Sequence, residues 1–547
     1  MEDPLHLTFP ALFAETIRKH GNRPAMALVG ENPITYNELD QRIRAVIAWL
    51  EKLGFKQGDK IAILSASIPN WGVSYYAITF MGAVVVPLLP DFHPTEIRNV
   101  LEHSGAKAIF VSGGLHSKIN DLSPEQMPVR IRIENFTFFD TVSQPAAFNP
   151  EAVPAYSYEV SPDTLAAIIY TSGTTGKSKG VMLTHANISF TARMSAKVQA
   201  IDENDRFLSV LPLSHTYENT IGLIFPMTKG SCIYYLGKVP TPSVLLPALQ
   251  VIRPTIMLTV PLIIEKIFRN KIKPKFTGNI LLRLAIHIPF IRKKMNVIAG
   301  KKLMETFGGE LAFFGIGGAK LNKTVEKFLI EARFPYAIGY GLTETSPLLA
   351  GTNPHNSRLQ SAGPAIEQVE LLIHNPDPNT GEGEIWAKGP NVMKGYYNEP
   401  ALTEEVITPD GWFRTGDLGI IDKDGYLYIK GRLKNMIVRA GGENIFPEEI
   451  ESVMNNFRHV VDSLVIDQKG KLVALVHFNR EEITEGHRHL KETNADYVEH
   501  EMEKLRQELQ TYVNHRVNKF SQIQEIIIMP EPFEKTATQK IKRYLYK

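Results

Sequence analysis

The chain has 547 residues, 44% hydrophobic and 22% charged, which are the proportions of a folded protein of two or more packed units and not of a disordered or fibrous one. Lys and Arg number 60 against 58 Asp and Glu, so no whole-molecule field exists to hold nucleic acid. A single cysteine, Cys232, excludes an intrachain disulfide and a Cys-rich zinc site, and it fits a reducing, cytoplasmic compartment.

Glu2 and Asp3 stand where a secretory leader would carry basic residues. A helix is expected over 38–52, because Leu39, Ile43, Val46, Ile47 and Leu50 recur on one face. Apolar runs at 60–64, 83–88 and 106–111 read as strands, with a helix over 94–104. This alternation predicts α/β layers with parallel strands. Four prolines in 144–162 mark a surface crossing. Strands follow at 165–170, 233–236, 255–260 and 311–316, and a turn region at 375–383. From Gly383 onward short strands joined by turns such as Asp424-Gly425 predict an antiparallel section.

The last part reads as a separate small α+β unit. A helix over 447–455 opens on Pro447 with Glu448, Glu449 and Glu451 suited to its dipole. Strands are expected at 460–466 and 472–478. A helix over 497–517 follows, with Val498, Met502, Leu505, Leu509, Val513 and Val517 in line, then a strand at 525–529 and a basic tail. No apolar run reaches the roughly 18 residues that would span a bilayer. The best, 280–291, is broken by Arg283, His287 and Pro289.

The strand at 165–170 runs into Thr171-Ser172-Gly173-Thr174-Thr175-Gly176-Lys177-Ser178-Lys179-Gly180. Glycines allow close backbone approach, and hydroxyls, backbone amides and two lysines suit phosphate oxygens. It lacks the spacing of a Walker A loop.

The loop resembles the signature of the adenylate-forming acyl-CoA ligase superfamily (AMP-binding enzymes), and further motifs extend the likeness over nearly the whole chain. They are Leu211-Pro212-Leu213-Ser214-His215-Thr216-Tyr217-Glu218, close to the long-chain fatty acid form, and Gly339-Tyr340-Gly341-Leu342-Thr343-Glu344-Thr345-Ser346. They continue with Trp412-Phe413-Arg414-Thr415-Gly416-Asp417-Leu418-Gly419 and Gly425-Tyr426-Leu427-Tyr428-Ile429-Lys430-Gly431-Arg432. Last comes Thr536-Ala537-Thr538-Gln539-Lys540-Ile541-Lys542-Arg543.

The resemblance implies a large multi-subdomain N-terminal α/β domain, 1–433, and a small mobile α+β C-terminal domain, 434–547. It implies that ATP and a carboxylate form an acyl adenylate and pyrophosphate, after which coenzyme A displaces AMP. In the first of these steps, the resemblance implies, Lys540 bridges the reacting carboxylate and the α-phosphate. Glu344 offers a hard oxygen to Mg²⁺. Thr343, Thr171, Ser172, Gly173, Thr174, Thr175 and Lys177 surround phosphate oxygens. Tyr340 and Gly341 face adenine, with Gly317, Gly318 and Ala319 on its other side, and Asp417 and Arg432 hold ribose or phosphate. Lys434 is the hinge. Gly441 and Gly442 line the pantetheine path, and His215 and Glu218 stand at the acid pocket.

Two departures stand out. Gln539 replaces a common glycine, as in many long-chain enzymes of this superfamily, and Asn435 replaces an aspartate after the hinge, which removes a charge. Residues 211–223 hold no Asp to pair a substrate ammonium, though Glu218 is there, and no carrier domain is expected beyond Lys547, so a fatty acid and coenzyme A are expected. The alternative is an aryl or short-chain acid, or loading of an acyl carrier protein. Residues 266–302 hold eleven Lys and Arg and no Asp or Glu. That segment is expected either to rest on the inner face of an anionic membrane or to be a solvated face over a covered helix.

Overall fold

The structure is a computed structural model that describes residues 7–139, 147–151, 159–172, 178–277, 287–438, 444–485, 495–536 and 540–546. Its N-terminal part is built on two eight-stranded sheets. In one, Tyr336–Gly341, Phe313–Ile316, Ile256–Thr259, Arg206–Ser209, Cys232–Tyr235 and Pro24–Leu28 run parallel, with Leu348–Gly351 and Ile34–Thr35 antiparallel at the edges. In the other, Leu165–Ser172, Val84–Leu88, Lys60–Leu64, Ala108–Val111 and Val129–Arg132 form the parallel centre.

The central strands are apolar on both faces because helices cover both sides, as parallel sheets require. Ile61, Ala62, Ile63 and Leu64 are all fully buried. Helix Tyr36–Lys52 covers one face through Leu39, Ile43, Val46, Ile47 and Leu50. Its start is fixed by Thr35 and Glu38, each of which accepts the other's backbone N–H, at 3.2 and 2.6 Å.

The expected antiparallel section is a four-stranded sheet in the order Glu370–His374, Gly383–Lys388, Phe413–Ile421, Leu427–Arg432. The C-terminal unit has its own apolar core, drawn from Ile445, Ile450, Met454, Val465, Leu472, Leu505, Leu509 and neighbours. It pairs Val460–Gln468 antiparallel and Glu525–Ile528 parallel with Lys471–Phe478. Helices Pro447–Met454 and Ala495–Asn514 pack on that sheet. The mixed α/β architecture, a large N-terminal domain followed by a smaller C-terminal one, agrees with the sequence reading.

One expectation changes. Helix Ala495–Asn514 ends before Val517. Asn514 turns to receive the Ile523 N–H at 2.8 Å and to donate to the Ile523 carbonyl at 3.0 Å, which ties the chain back toward the sheet. Parts of the basic segment are engaged within the protein. Arg269 and Lys273 reach the C-terminal domain, and Arg292 pairs with Glu331 at 2.9 Å. Much of the 280–291 run lies outside the described residues.

Candidate active site

Strand Tyr336–Gly341 ends where a Cβ on Gly341 would lie 1.6 Å from the Pro347 carbonyl oxygen. Only glycine lets the chain double back this tightly. The turn Thr343–Thr345 follows. Thr345 Oγ1 accepts the Leu342 N–H at 3.0 Å and donates to the Pro347 carbonyl at 2.8 Å. The Asn391 amide donates to the carbonyls of Thr345 and Leu348 at 3.1 and 2.7 Å. Thr343 and Glu344 therefore stand on a pinned, half-buried turn. The hydroxyl of Tyr396 donates to Glu344 Oε1 at 3.0 Å, and Lys179 lies 4.8 Å from the Tyr396 ring centre.

Asp417 and Arg432 face each other across paired strands. Arg432 Nε donates to Asp417 Oδ1 at 2.7 Å, and the Tyr340 hydroxyl donates to Oδ2 at 2.8 Å. Burial pushes the Asp417 carboxyl up, against the pull of Arg432 and the Tyr340 hydrogen bond. The Tyr340 ring, expected to offer a flat face, is only 8% exposed and packs with Phe190, Leu349 and Ala350.

Gly317, buried, and Gly318 and Ala319, exposed, follow strand Phe313–Ile316, and Gly318 turns the chain at φ +82°. A Cβ on Gly317 would lie 3.2 Å from the Tyr217 ring, and one on Gly315 would lie 3.0 Å from its hydroxyl. Tyr217 thus lies against this glycine strip. Sequence reasoning passed over it, although it stands two residues after His215. Tyr396 and Asn391 were passed over as well, and no local pattern marks either.

Lys540 enters this region from the other domain. It lies within electrostatic reach of Arg432, Asp417, Glu344 and His215. Its side chain keeps access to solvent, so it stands in an open cleft. Crowding by protein lowers its pKa first and Arg432 adds to this, while Asp417 and Glu344 oppose. His215 is half-buried, and its Nδ1 accepts the Tyr217 N–H at 3.2 Å. Burial and then Lys540 pull its pKa down to about 4, so the imidazole is neutral at pH 7.

Glu218, by contrast, is 1% exposed and points into the protein: Ser209 Oγ donates to its Oε1 at 2.5 Å, and a Cβ on Gly222 would touch its carboxyl at 2.7 Å. Burial raises its pKa from 4.5 to about 8. The folded protein therefore holds a proton that the unfolded chain has released above pH 4.5. Stability linked to Glu218 is fully present below pH 4.5 and is lost as pH rises toward 8, amounting to about 3 kcal/mol by pH 7. The melting temperature of the wild type should fall more steeply from pH 5 to pH 8 than that of Glu218→Gln. Parallel melting curves would show that the carboxyl does not titrate across this range.

Lys434 lies in the single turn Leu433–Asn435, directly after strand Leu427–Arg432. Asn435 donates to Glu448 Oε1 at 2.6 Å, a contact an amide makes and an ionised aspartate would oppose. Thr171 is on strand Leu165–Ser172, whose last residue pairs with Ser178. Gly173, Thr174, Thr175, Lys177, Gly441 and Gly442 lie outside the described residues.

Among the described residues no cluster of three or more His, Cys, Asp or Glu side chains could cage a metal. A lone carboxylate with one oxygen held by Tyr396 suits Mg²⁺, which takes few protein ligands and completes its shell with phosphate oxygens and water. The site thus joins a hydroxyl-rich turn, one hard carboxylate, a buried aspartate paired with an exposed arginine and a lysine delivered from a second domain. That combination defines a nucleotide-handling enzyme of two domains.

The family model for AMP-binding enzymes matches residues 13–397. The chain belongs to the AMP-binding enzyme family. It is 28% identical over 522 residues to a long-chain-fatty-acid–CoA ligase, heimdall, of Drosophila melanogaster, covering 86% of this chain and 76% of that one. It is 29% identical over 501 residues to a 4-coumarate–CoA ligase of Vanilla planifolia, covering 86% and 84%. The ATP-bound crystal structure of MatB from Rhodopseudomonas palustris superposes with a TM-score of 0.76 at 24% identity, covering 98% and 97%, a likeness of fold.

Proposed function

We propose that the protein is an acid–CoA ligase whose substrate is a fatty acid of medium to long chain. ATP and the carboxylate give an acyl adenylate and pyrophosphate; the thiol of coenzyme A then attacks the acyl carbon, AMP leaves, and a thioester remains. The observation that carries this reading is Lys540, on the C-terminal domain, within reach of Asp417, Arg432 and Glu344 on the N-terminal one. Its ammonium offsets negative charge where carboxylate and α-phosphate meet. Glu344 would hold Mg²⁺, which supplies charge neutralisation of the phosphates when bound. Thr343, Thr171, Ser172, Thr174, Thr175 and Lys177 orient the phosphate chain. Asp417 and Arg432 orient the ribose, and Tyr340 with Gly341 and 317–319 bounds the base. His215, neutral, stands at the acid.

We take Lys434 as the hinge and 434 as the start of the mobile domain. In one pose the domain presents Lys540. In the other it presents the segment with Gly441 and Gly442 to the pantetheine arm.

The long-chain reading rests on the form of the 211–218 and 536–543 motifs. The likeness to a 4-coumarate ligase favours an aryl acid as the second reading. Thioester formation assayed over saturated acids from acetate to stearate, with benzoate and 4-coumarate alongside, should peak at a medium or long chain. Benzoate, 4-coumarate or acetate outperforming every longer acid would reverse the assignment.

Among the described residues no helix is long and apolar enough to cross a membrane. Ile288, Phe290 and Ile298 are 52%, 67% and 60% exposed, in the same stretch as Lys293 and Lys294. We read this as a weak contact with anionic lipid. Co-sedimentation with anionic vesicles should fade as salt shortens the Debye length. Equal binding to neutral vesicles would count against it.

A further inference from the structure

Helix Pro447–Met454 of the C-terminal domain ends against the N-terminal domain, where carbonyls in its last turn and in the residues that follow find donors, the Ser452 carbonyl also accepting the Asn456 side chain at 2.8 Å. Arg269 Nη2 donates to the Asn455 carbonyl at 2.9 Å and its Nη1 to the Val460 carbonyl at 3.0 Å. Asn322 Nδ2 donates to the Ser452 carbonyl at 3.2 Å, and Lys273 reaches the Asn456 carbonyl at 3.5 Å. The last carbonyls of a helix lack partners within it and carry partial negative charge. A guanidinium and an amide placed there form a polar clasp.

Both principal donors are built in. Arg269 stands on the wide turn Phe268–Ile272, where the Phe268 ring packs on Phe328 with centroids 5.1 Å apart. Asn322 is 7% exposed; its backbone N–H donates to Glu265 at 2.9 Å, and its Oδ1 caps helix Lys323–Ala332 by accepting the Thr324 N–H at 2.9 Å. The side chain therefore has no freedom to follow a moving partner.

The clasped helix and strand are also those that carry the Lys540 tail. Arg543 pairs with Glu451 on that helix, and Lys535 pairs with Asp462 on strand Val460–Gln468 at 2.8 Å. Lys540 lies between these two anchors, and its N–H donates to Thr536 Oγ1 at 3.2 Å.

We infer that Arg269 and Asn322 are positioning residues for the first half-reaction: they clasp the C-terminal domain in the pose that delivers Lys540 and release it for the second. This rests on the two-pose reading above. Rotation of the domain about Lys434 would carry the Ser452, Asn455 and Val460 carbonyls off donors fixed in the other domain, so the clasp favours one pose only. Removing it lowers the fraction of enzyme with Lys540 in place.

The test is to assay the two half-reactions separately on full-length Arg269→Ala, Asn322→Ala and Arg269→Lys. Adenylate formation should fall about tenfold or more in both alanine variants, and thioester formation from pre-formed adenylate should stay within about twofold of the wild type. Arg269→Lys should recover part of the loss. A fall in both half-reactions together, or in neither, would overturn the clasp. Should Arg269→Ala fail to fold, as judged by its thermal melt, Asn322→Ala decides. Lys540→Ala in the same assay keeps the readings apart: if it harms one half-reaction while the clasp variants do not, two poses stand without the clasp, and if it harms both equally, the two-pose reading itself fails.

Discussion

Replacing Lys540 with alanine is expected to lower adenylate formation by about 10³-fold or more while leaving conversion of pre-formed adenylate to thioester near the wild-type rate. The ammonium lies within electrostatic reach of Arg432, Asp417, Glu344 and His215. Arg543 and Lys535 anchor its tail to the C-terminal domain. On the two-pose reading proposed above, the same domain presents the segment with Gly441 and Gly442 in the second half-reaction, and Lys540 takes no part there. The two half-reactions, assayed apart with the fold checked by circular dichroism, decide the matter. Equal damage to both would mean that Lys540 serves the fold or both steps, and that one pose suffices.

Glu344→Gln is expected to slow adenylation by about 10²–10³ at saturating Mg²⁺, and to raise the Mg²⁺ concentration needed for half-maximal rate. The amide keeps the shape and can still accept the Tyr396 hydroxyl, which donates to Oε1 at 3.0 Å in the wild type. The turn beneath it is held by Thr345 and Asn391, not by the carboxylate itself. The loss therefore measures the charge. Adenylation within a few-fold of the wild type, with an unchanged Mg²⁺ requirement, would remove Glu344 from any metal-holding role.

Much of this arrangement is legible in the sequence. The run 60–64 is apolar at almost every position because its strand is covered on both faces, and such runs need no partner to be recognised. Gly341 reads only as one residue of its motif; the reason it is glycine, a carbonyl oxygen where a Cβ would be, is visible only in three dimensions. What the sequence hides is pairing. Asp417 and Arg432 lie in separate motifs, and only the register of two antiparallel strands brings them together. Tyr396 meets Glu344, and Asn391 meets Thr345, across long chain separations. Glu218 shares a motif with His215, yet its carboxyl turns into the protein, toward Ser209. Arg269 reads as one more cation in a basic run until its partners, the carbonyls of Asn455 and Val460, are seen in another domain.

The central claim is that the acid is activated as an adenylate before the thiol arrives. Acid-dependent exchange of labelled pyrophosphate into ATP, measured on the full-length enzyme without coenzyme A, tests it most directly. Exchange should appear with a medium or long fatty acid, and addition of coenzyme A should then release AMP in equal amount to the thioester formed. Background exchange with every acid tested, or release of ADP and phosphate in place of AMP and pyrophosphate, would contradict it.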